Sequence, residues 1–215
     1  MKSIDSSTPT STLGAGTALE RTGMQDPRDV ADFVPLVDRS FAFVDLCGFT
    51  IHTANHGEHA AIEILVMFRA VVREIAARRG VVIAKWLGDG VMLVGTDPGP
   101  TISAAGEVVA RLDGQPLAVR AGTAHGGVLL FEGDDYIGRP VNLAARFCQA
   151  AQPGELLAVG YPLEELPVWM RVLGTRRVRL PGLGVIRHVQ RLGLIPGVDL
   201  RNTTAAITTA APSRG

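Results

Sequence analysis

Residues Val81–Thr96 read VVIAKWLGDGVMLVGT, and the fold turns on how that stretch is read. Two runs rich in β-branched side chains flank Gly88-Asp89-Gly90, the composition of a tight turn, so the stretch is an antiparallel strand pair. Immediately upstream, Gly57–Arg79 carries Ile62, Leu65, Val66, Val72 and Ile75 at helical spacing, with Gly80 as its stop. Further back, Phe41–Leu46 (FAFVDL) is a short, mostly apolar run of the kind that forms a buried strand. Asp26–Ser40 is expected to form a short amphipathic lead-in helix, with Val30, Phe33, Val34 and Val37 as its apolar side. Asp26 would cap it and Pro27 would take the first helical position, while Pro35 works against it.

Downstream of the hairpin, Thr101 is expected to cap a second helix running to about Leu112. Leu117–Ala124 and Val128–Glu132 are expected as another strand pair around Gly126-Gly127. Arg139-Pro140 opens a third helix through Gln152, since proline is well tolerated at the first helical position. Glu155–Val159, Thr175–Leu180 and Val185–Leu192 complete the set as strands. Antiparallel pairs interleaved with helices argue an α+β sandwich, a mainly antiparallel sheet with helices packed on it. There is no internal repeat. The domain is expected to span 38–192. Residues 1–37 and 193–215 are expected as tails, disordered in their Ser/Thr-rich outer parts, 1–25 and 201–215.

The whole chain has 215 residues, 47% hydrophobic and 20% charged, which suits one domain with a core. Its 21 basic and 21 acidic side chains cancel, which gives no global attraction to nucleic acid or an anionic membrane. The basic runs Arg78-Arg79 and Arg176-Arg177-Val178-Arg179 lack interleaved aromatics and read as solvated faces. The N-terminal MKSIDSSTPTSTLG has no apolar core of a signal peptide. The apolar stretch Ile62–Ala77 is broken by Glu63, Arg69, Arg73 and Glu74, so no membrane span is expected. Two cysteines, Cys47 and Cys148, make neither a disulfide framework nor a metal cluster, and the expectation is a reduced, cytoplasmic protein.

Three constellations carry chemistry. Asp45 ends the strand FAFVDL, where a carboxylate is costly unless paired or metal-bound. Gly48 and the backbone N–H groups from Cys47 to Thr50 follow it towards the next helix, a geometry able to cradle phosphate oxygens. Asp89 sits at the hairpin tip. Taken singly, a helix cap explains Asp45 and turn chemistry explains Asp89 equally well. Together, two converging carboxylates are what Mg²⁺ or Mn²⁺ needs. The five histidines (52, 56, 59, 125, 188) are scattered, and His52, His56 and His59 read as surface or capping groups rather than zinc ligands. Third, Asn142 and Arg146 stand four residues apart on the helix opened by Pro140, one face suited to a sugar and an anion.

The segments FAFVDLCGFT, AKWLGDGVMLV and DDYIGRPVNLAAR together resemble class III adenylyl/guanylyl cyclase catalytic domains, in order and spacing. The resemblance covers roughly residues 38–192, including VRLPGLGVIRHVQRL near the end, and implies the family's palm-type, ferredoxin-like sandwich. It implies that Asp45 and Asp89, with the backbone carbonyl of Leu46, hold two Mg²⁺ or Mn²⁺ ions. Cys47, Gly48, Phe49 and Thr50 would form the phosphate loop. Lys85 and Asp135 would read the purine, Asn142 would orient the ribose, and Arg146 would stabilise the transition state. A Lys donor and an Asp acceptor match the N1 and N6 of adenine, whereas guanine presents the reverse polarity, so the pair points to ATP. The resemblance also implies a head-to-tail homodimer, each site drawing its metal acids from one chain and its remaining groups from the other. A guanylyl cyclase and a catalytically weak nucleotide-binding regulator remain as alternatives. The GGDEF or GGEEF signature of diguanylate cyclases is absent, LGDGV standing at the hairpin instead. The compact stretch from Arg120 to Asp135 implies a short dimerisation arm. Trp86 and Cys47 have no assigned side-chain role, and a small buried filler is the plainest account of Cys47.

Overall fold

Alternate residues of the strand Leu36–Leu46 (β1) face opposite layers of side chains, and that alternation organises the domain. In the computed structural model, which describes residues 34–133, 135–159 and 166–195, Ala42, Val44 and Leu46 join one core layer. Phe41 and the partly buried Val37 and Phe43 join the other. The first layer is covered by two helices, Phe49–Arg79 (α1) and Pro98–Arg111 (α2). The second is covered by Arg139–Ala150 (α3), through Leu143, Ala144 and Phe147.

The remaining strands are Val82–Leu87 (β2), Gly90–Gly95 (β3), Val119–Phe131 (β4), Asp135–Ile137 (β5), Leu156–Ala158 (β6), Met170–Leu180 (β7) and Gly184–Leu194 (β8). They order as β2-β3-β1-β4-β6-β8-β7, with β5 paired on β4. Every pairing is antiparallel except β4 with β6. This is the α+β sandwich expected from the sequence, with a mainly antiparallel sheet and a palm-type arrangement of helices. Among the described residues no helix is long and apolar enough to cross a membrane.

Several local expectations are corrected. Leu36–Ser40 is strand, not the end of a lead-in helix, because it pairs with β4 from Leu36↔Leu129 onwards. The rest of that expected helix up to Phe33, and the outer tails, lie outside the described residues. Gly126 and Gly127 do not turn the chain. They lie within β4, opposite Arg39 and Asp38, and a Cβ on Gly126 would stand 3.2 Å from Cγ of Pro140. Gly126 therefore makes room for the start of α3, and the hairpin comes later, at Glu132-Gly133, with Leu129↔Ile137 as its last pair. The second helix starts at Pro98 rather than Thr101, whose buried hydroxyl donates back to the Asp97 carbonyl.

On α1 the buried stripe is Ala61, Ile64, Phe68, Val72, Ile75, Ala76 and Arg79, which includes the expected Val72 and Ile75, while the expected Leu65 packs partly buried beside it. Ile62 and Val66 face outward, 57% and 63% exposed, because they lie off that line. The helix also begins earlier than expected and is broken at Gly57 (φ 84°, ψ 173°), which resets its phase. Gly80 ends it in the left-handed conformation, its N–H donating to the carbonyls of Ala76 and Ala77.

Nor are the basic runs simply solvated. The Arg79 side chain is 1% exposed and donates from Nε and Nη2 to Oε2 of Glu107, at 3.0 and 2.8 Å. Arg78 takes the other oxygen. Glu107 is fully buried on α2, so this cluster ties the C-terminal end of α1 to the middle of α2. Arg176 likewise donates to Glu155 at 2.9 Å and to the Ala150 carbonyl at 2.8 Å, fastening β7 to the end of α3.

Candidate active site

Sheet register brings the two acids together. Asp45 lies opposite Gly90 across β1–β3, and the N–H of Leu46 donates to the Asp89 carbonyl at 3.3 Å. A Cβ on Gly90 would stand 3.1 Å from Oδ1 of Asp45, so a larger residue there would press on the carboxylate. Burial pushes the Asp89 carboxyl above its ordinary value, and the neighbouring Asp45 charge adds to the effect. Two crowded carboxylates are the hard, anionic oxygen donors that Mg²⁺ and Mn²⁺ take, so the donor set fits such ions. Among the described residues no group of three or more His, Cys, Asp or Glu gathers to hold a metal. A cation here would complete its shell with backbone oxygen, water and substrate phosphate, as Mg²⁺ usually does.

Arg120 was not singled out from the sequence, yet it completes this corner. It lies directly opposite Asp45 across β1–β4 and donates from Nη2 and Nε to Oδ2, at 2.7 and 3.1 Å. Its Nη1 also donates to the Gln149 carbonyl near the end of α3, at 3.2 Å. The available signal was a lone arginine in the apolar run LAVRAGTA, since a charge on a buried strand needs a partner.

Between Asp45 and α1, Gly48 adopts the left-handed conformation (φ 77°, ψ 18°) and turns the chain into the helix. The first turn of α1 has neither a side-chain cap nor an acid to oppose an anion. The N–H of Cys47 is already used, donating to the Ala118 carbonyl at 2.8 Å, which leaves Gly48, Phe49 and Thr50 as the open part of the expected phosphate loop. The half-buried Cys47 and the buried Cys148 are both free thiols. Burial pushes Cys148 up to about 12, and Asp45 adds to the shift.

Lys85 and Asp135 meet. The Lys85 ammonium donates to Oδ1 of Asp135, and both side chains remain about half exposed, which leaves the pair open to a planar ligand. Asn142 and Arg146 are exposed on α3 and bond locally. Asn142 donates to the Gly138 carbonyl at 3.4 Å, and Arg146 donates to Oε1 of Gln149 at 3.2 Å. Apart from the loop at the start of α1, the sequence-predicted side chains thus fall into three groups within one chain: the acids Asp45 and Asp89, the Lys85–Asp135 ion pair, and the α3 face of Asn142 and Arg146. No hydrogen bond or ion pair joins Asn142 or Arg146 to the acids.

No family model matches the chain. In sequence it is 37% identical over 142 residues to a Mycobacterium tuberculosis protein described as uncharacterised, a match covering 65% of this chain and 37% of that one. It is 35% identical over 131 residues to a pH-sensitive adenylate cyclase of the same species, covering 58% of this chain and 32% of that protein. The chain therefore spans about a third of the length of the curated relatives it matches. Among solved structures it is similar to the adenylyl cyclase CyaB from P. aeruginosa, with TM-score 0.59 and 25% identity over 77% of this chain and 97% of that one. It shares the same fold with the guanylyl cyclase Cya2, with TM-score 0.59 and 20% identity over 80% of this chain and 99% of that one. The structural neighbours are class III cyclase catalytic domains, which is the resemblance carried by the three motifs.

Proposed function

We propose that this domain, which has the fold of the class III nucleotidyl cyclases, is itself an adenylyl cyclase. It would convert ATP to 3′,5′-cyclic AMP and pyrophosphate at sites shared between two copies in a head-to-tail homodimer. The observation that carries the reading is the convergence of Asp45 and Asp89, set side by side by the β1–β3 register.

In the reaction the ribose 3′-oxygen attacks the α-phosphorus in line. A new 3′-O–P bond forms, the bond to the β-phosphate oxygen breaks, and pyrophosphate leaves with the electron pair. Bound by Asp45 and Asp89, Mg²⁺ or Mn²⁺ would supply charge neutralisation and acidify the attacking hydroxyl. Gly48, Phe49 and Thr50 offer N–H groups to phosphate oxygens at the start of α1. Lys85 donates to adenine N1 while Asp135 accepts from N6, so their present ion pair opens to admit the base. Asn142 orients the ribose by hydrogen bonding. Arg146 offers its planar fork to the charge building on the α-phosphoryl oxygens, a contact whose removal costs about 10²–10³ in kcat.

The local bonding of Asn142 and Arg146 supports the split site, since nothing in their own chain commits them to the acids. The test is direct. The folded protein at micromolar concentration with Mn²⁺ and ATP should release cyclic AMP and pyrophosphate, and Asp45→Ala should abolish release without unfolding the chain. Absence of cyclic AMP from folded, dimeric protein overturns the reading. Faster turnover of GTP than of ATP replaces it with a guanylyl cyclase.

A further inference from the structure

Trp86 lies between the purine-reading Lys85 and the acid Asp89, and its side chain belongs to neither function. Alternation along β2 sends it under α1, where its ring meets Phe68 edge-on, centroids 6.3 Å apart at 75°. Lys85 points the other way, to Asp135. β2 is an edge strand with β3 as its sheet neighbour, so the turn at Gly88-Asp89 hangs at the margin of the sheet.

Two bonds tie the carbonyls of that turn. One is the Leu46 N–H to the Asp89 oxygen, already described. The other comes from α1: Nη2 of Arg69 donates to the Gly88 oxygen at 3.4 Å. The Arg69 guanidinium lies over the Trp86 ring, 4.9 Å from its centroid, with Arg73 at 5.4 Å from the same ring. Nε of Arg69 is buried and has no hydrogen-bond partner. An arginine serving only to solvate the helix would turn that donor to water. The ring and the Gly88 carbonyl set its orientation instead.

We propose that Arg69, stacked on Trp86, is a positioning residue for the metal-binding turn. By fixing the Gly88 carbonyl it fixes the backbone from which the Asp89 carboxylate reaches its cation. The proposal rests on the reading of Asp45 and Asp89 as metal ligands, and groups that orient such ligands typically change metal affinity by about 10–100-fold when removed.

The experiment measures Mn²⁺ binding to the full chain by equilibrium dialysis, as the Mn²⁺ held on the protein side in excess of that chelated by 3′-deoxy-ATP, which cannot cyclise, on both sides. Arg69→Ala should weaken Mn²⁺ binding roughly tenfold with little change in melting temperature, while Arg73→Ala stays within about twofold of the parent chain. In turnover with ATP, Arg69→Ala should raise the Mn²⁺ concentration for half-maximal rate and leave kcat at saturating Mn²⁺ nearly unchanged. A stacking contact with a purely structural role would lower the melting temperature without that split. Asp89→Asn is the reference. If it abolishes binding while Arg69→Ala binds like the parent, or if Arg69→Ala and Arg73→Ala weaken binding equally, the positioning role is overturned. If Asp89→Asn itself binds Mn²⁺ undiminished, the metal reading falls and the positioning role falls with it.

Discussion

Asp89 is held in a place that does not suit a free carboxylate. Its folded-state pKa is raised, by burial first and then by Asp45, so ionisation is harder in the fold than in the unfolded chain. The sign follows directly. Above the ordinary aspartate range the charge opposes folding, and below it both states are protonated and the opposition disappears. Asp89→Asn should therefore raise the melting temperature of the metal-free protein at neutral pH. The gain should shrink as pH falls towards that range, as differential scanning fluorimetry across pH would register. A substitution that stabilises the chain and abolishes metal binding is the mark of a residue kept for function. Lys85 makes the second case at this scale. Lys85→Glu replaces a donor with an acceptor beside Asp135, so ATP turnover should fall by about 10²-fold or more, with the GTP:ATP ratio rising in a direct comparison of rates.

How legible these residues are in the sequence depends on how local their signal is. Asp45, Asp89, Lys85, Asp135, Asn142 and Arg146 stand in short motifs with fixed spacing, so they can be read in order along the chain. Arg120 and Arg69 cannot be read that way. Each acts through a partner far along the chain, Asp45 or the Gly88 carbonyl, and only strand register or helix docking brings them together. Trp86 stands beside a motif, but which layer it enters is decided by β2 alternation and by what α1 presents above it.

Among the elements, α3 shows how closely the helix carrying Asn142 and Arg146 is laid on the sheet. A Cβ on Gly122 of β4 would stand 2.2 Å from the Cys148 nitrogen and 2.4 Å from the Ala144 carbonyl oxygen. Gly122→Ala must push α3 outward. It should cost about 1–3 kcal/mol in urea unfolding and lower kcat more than it weakens Mn²⁺ binding, because the displaced groups are not the metal acids. The α1–α2 clamp gives a larger effect. Glu107→Ala strands Arg79 in the core without its partner, and a loss of about 3–5 kcal/mol is expected from chemical denaturation. Neither contact shows in residue patterns. Arg78-Arg79 reads as a solvated face because charge is judged along one helix, whereas Glu107 arrives from another. Gly126-Gly127 reads as a turn because two glycines usually make one, and only the approach of Pro140 gives Gly126 another use.

For the whole molecule, the proposed split site makes a prediction no single chain can meet. Asp45→Ala and Arg146→Ala should each be inactive alone. Mixed in equal amounts and allowed to exchange, half of the dimers pair the two kinds of chain and hold one intact site, so about a quarter of the parent activity should return. An inactive mixture, with exchange confirmed, would show that each chain builds its site from its own residues. The strand and helix order was legible at this scale, because hydrophobic period and turn residues mark it. A homodimer was expected only through the resemblance, since no hydrophobic period marks the surfaces on which assembly would depend.

Arg120 adds a consequence for loading. Its guanidinium is tethered beside Asp45, so on the proposed reading an ion from solution competes with a resident that cannot diffuse away. A cation arriving with a triphosphate brings its own inducement, phosphate oxygens to which the displaced arginine can turn. On the proposed reading the chain resists filling with metal alone and admits ion and nucleotide as one cargo, each strengthening the hold on the other.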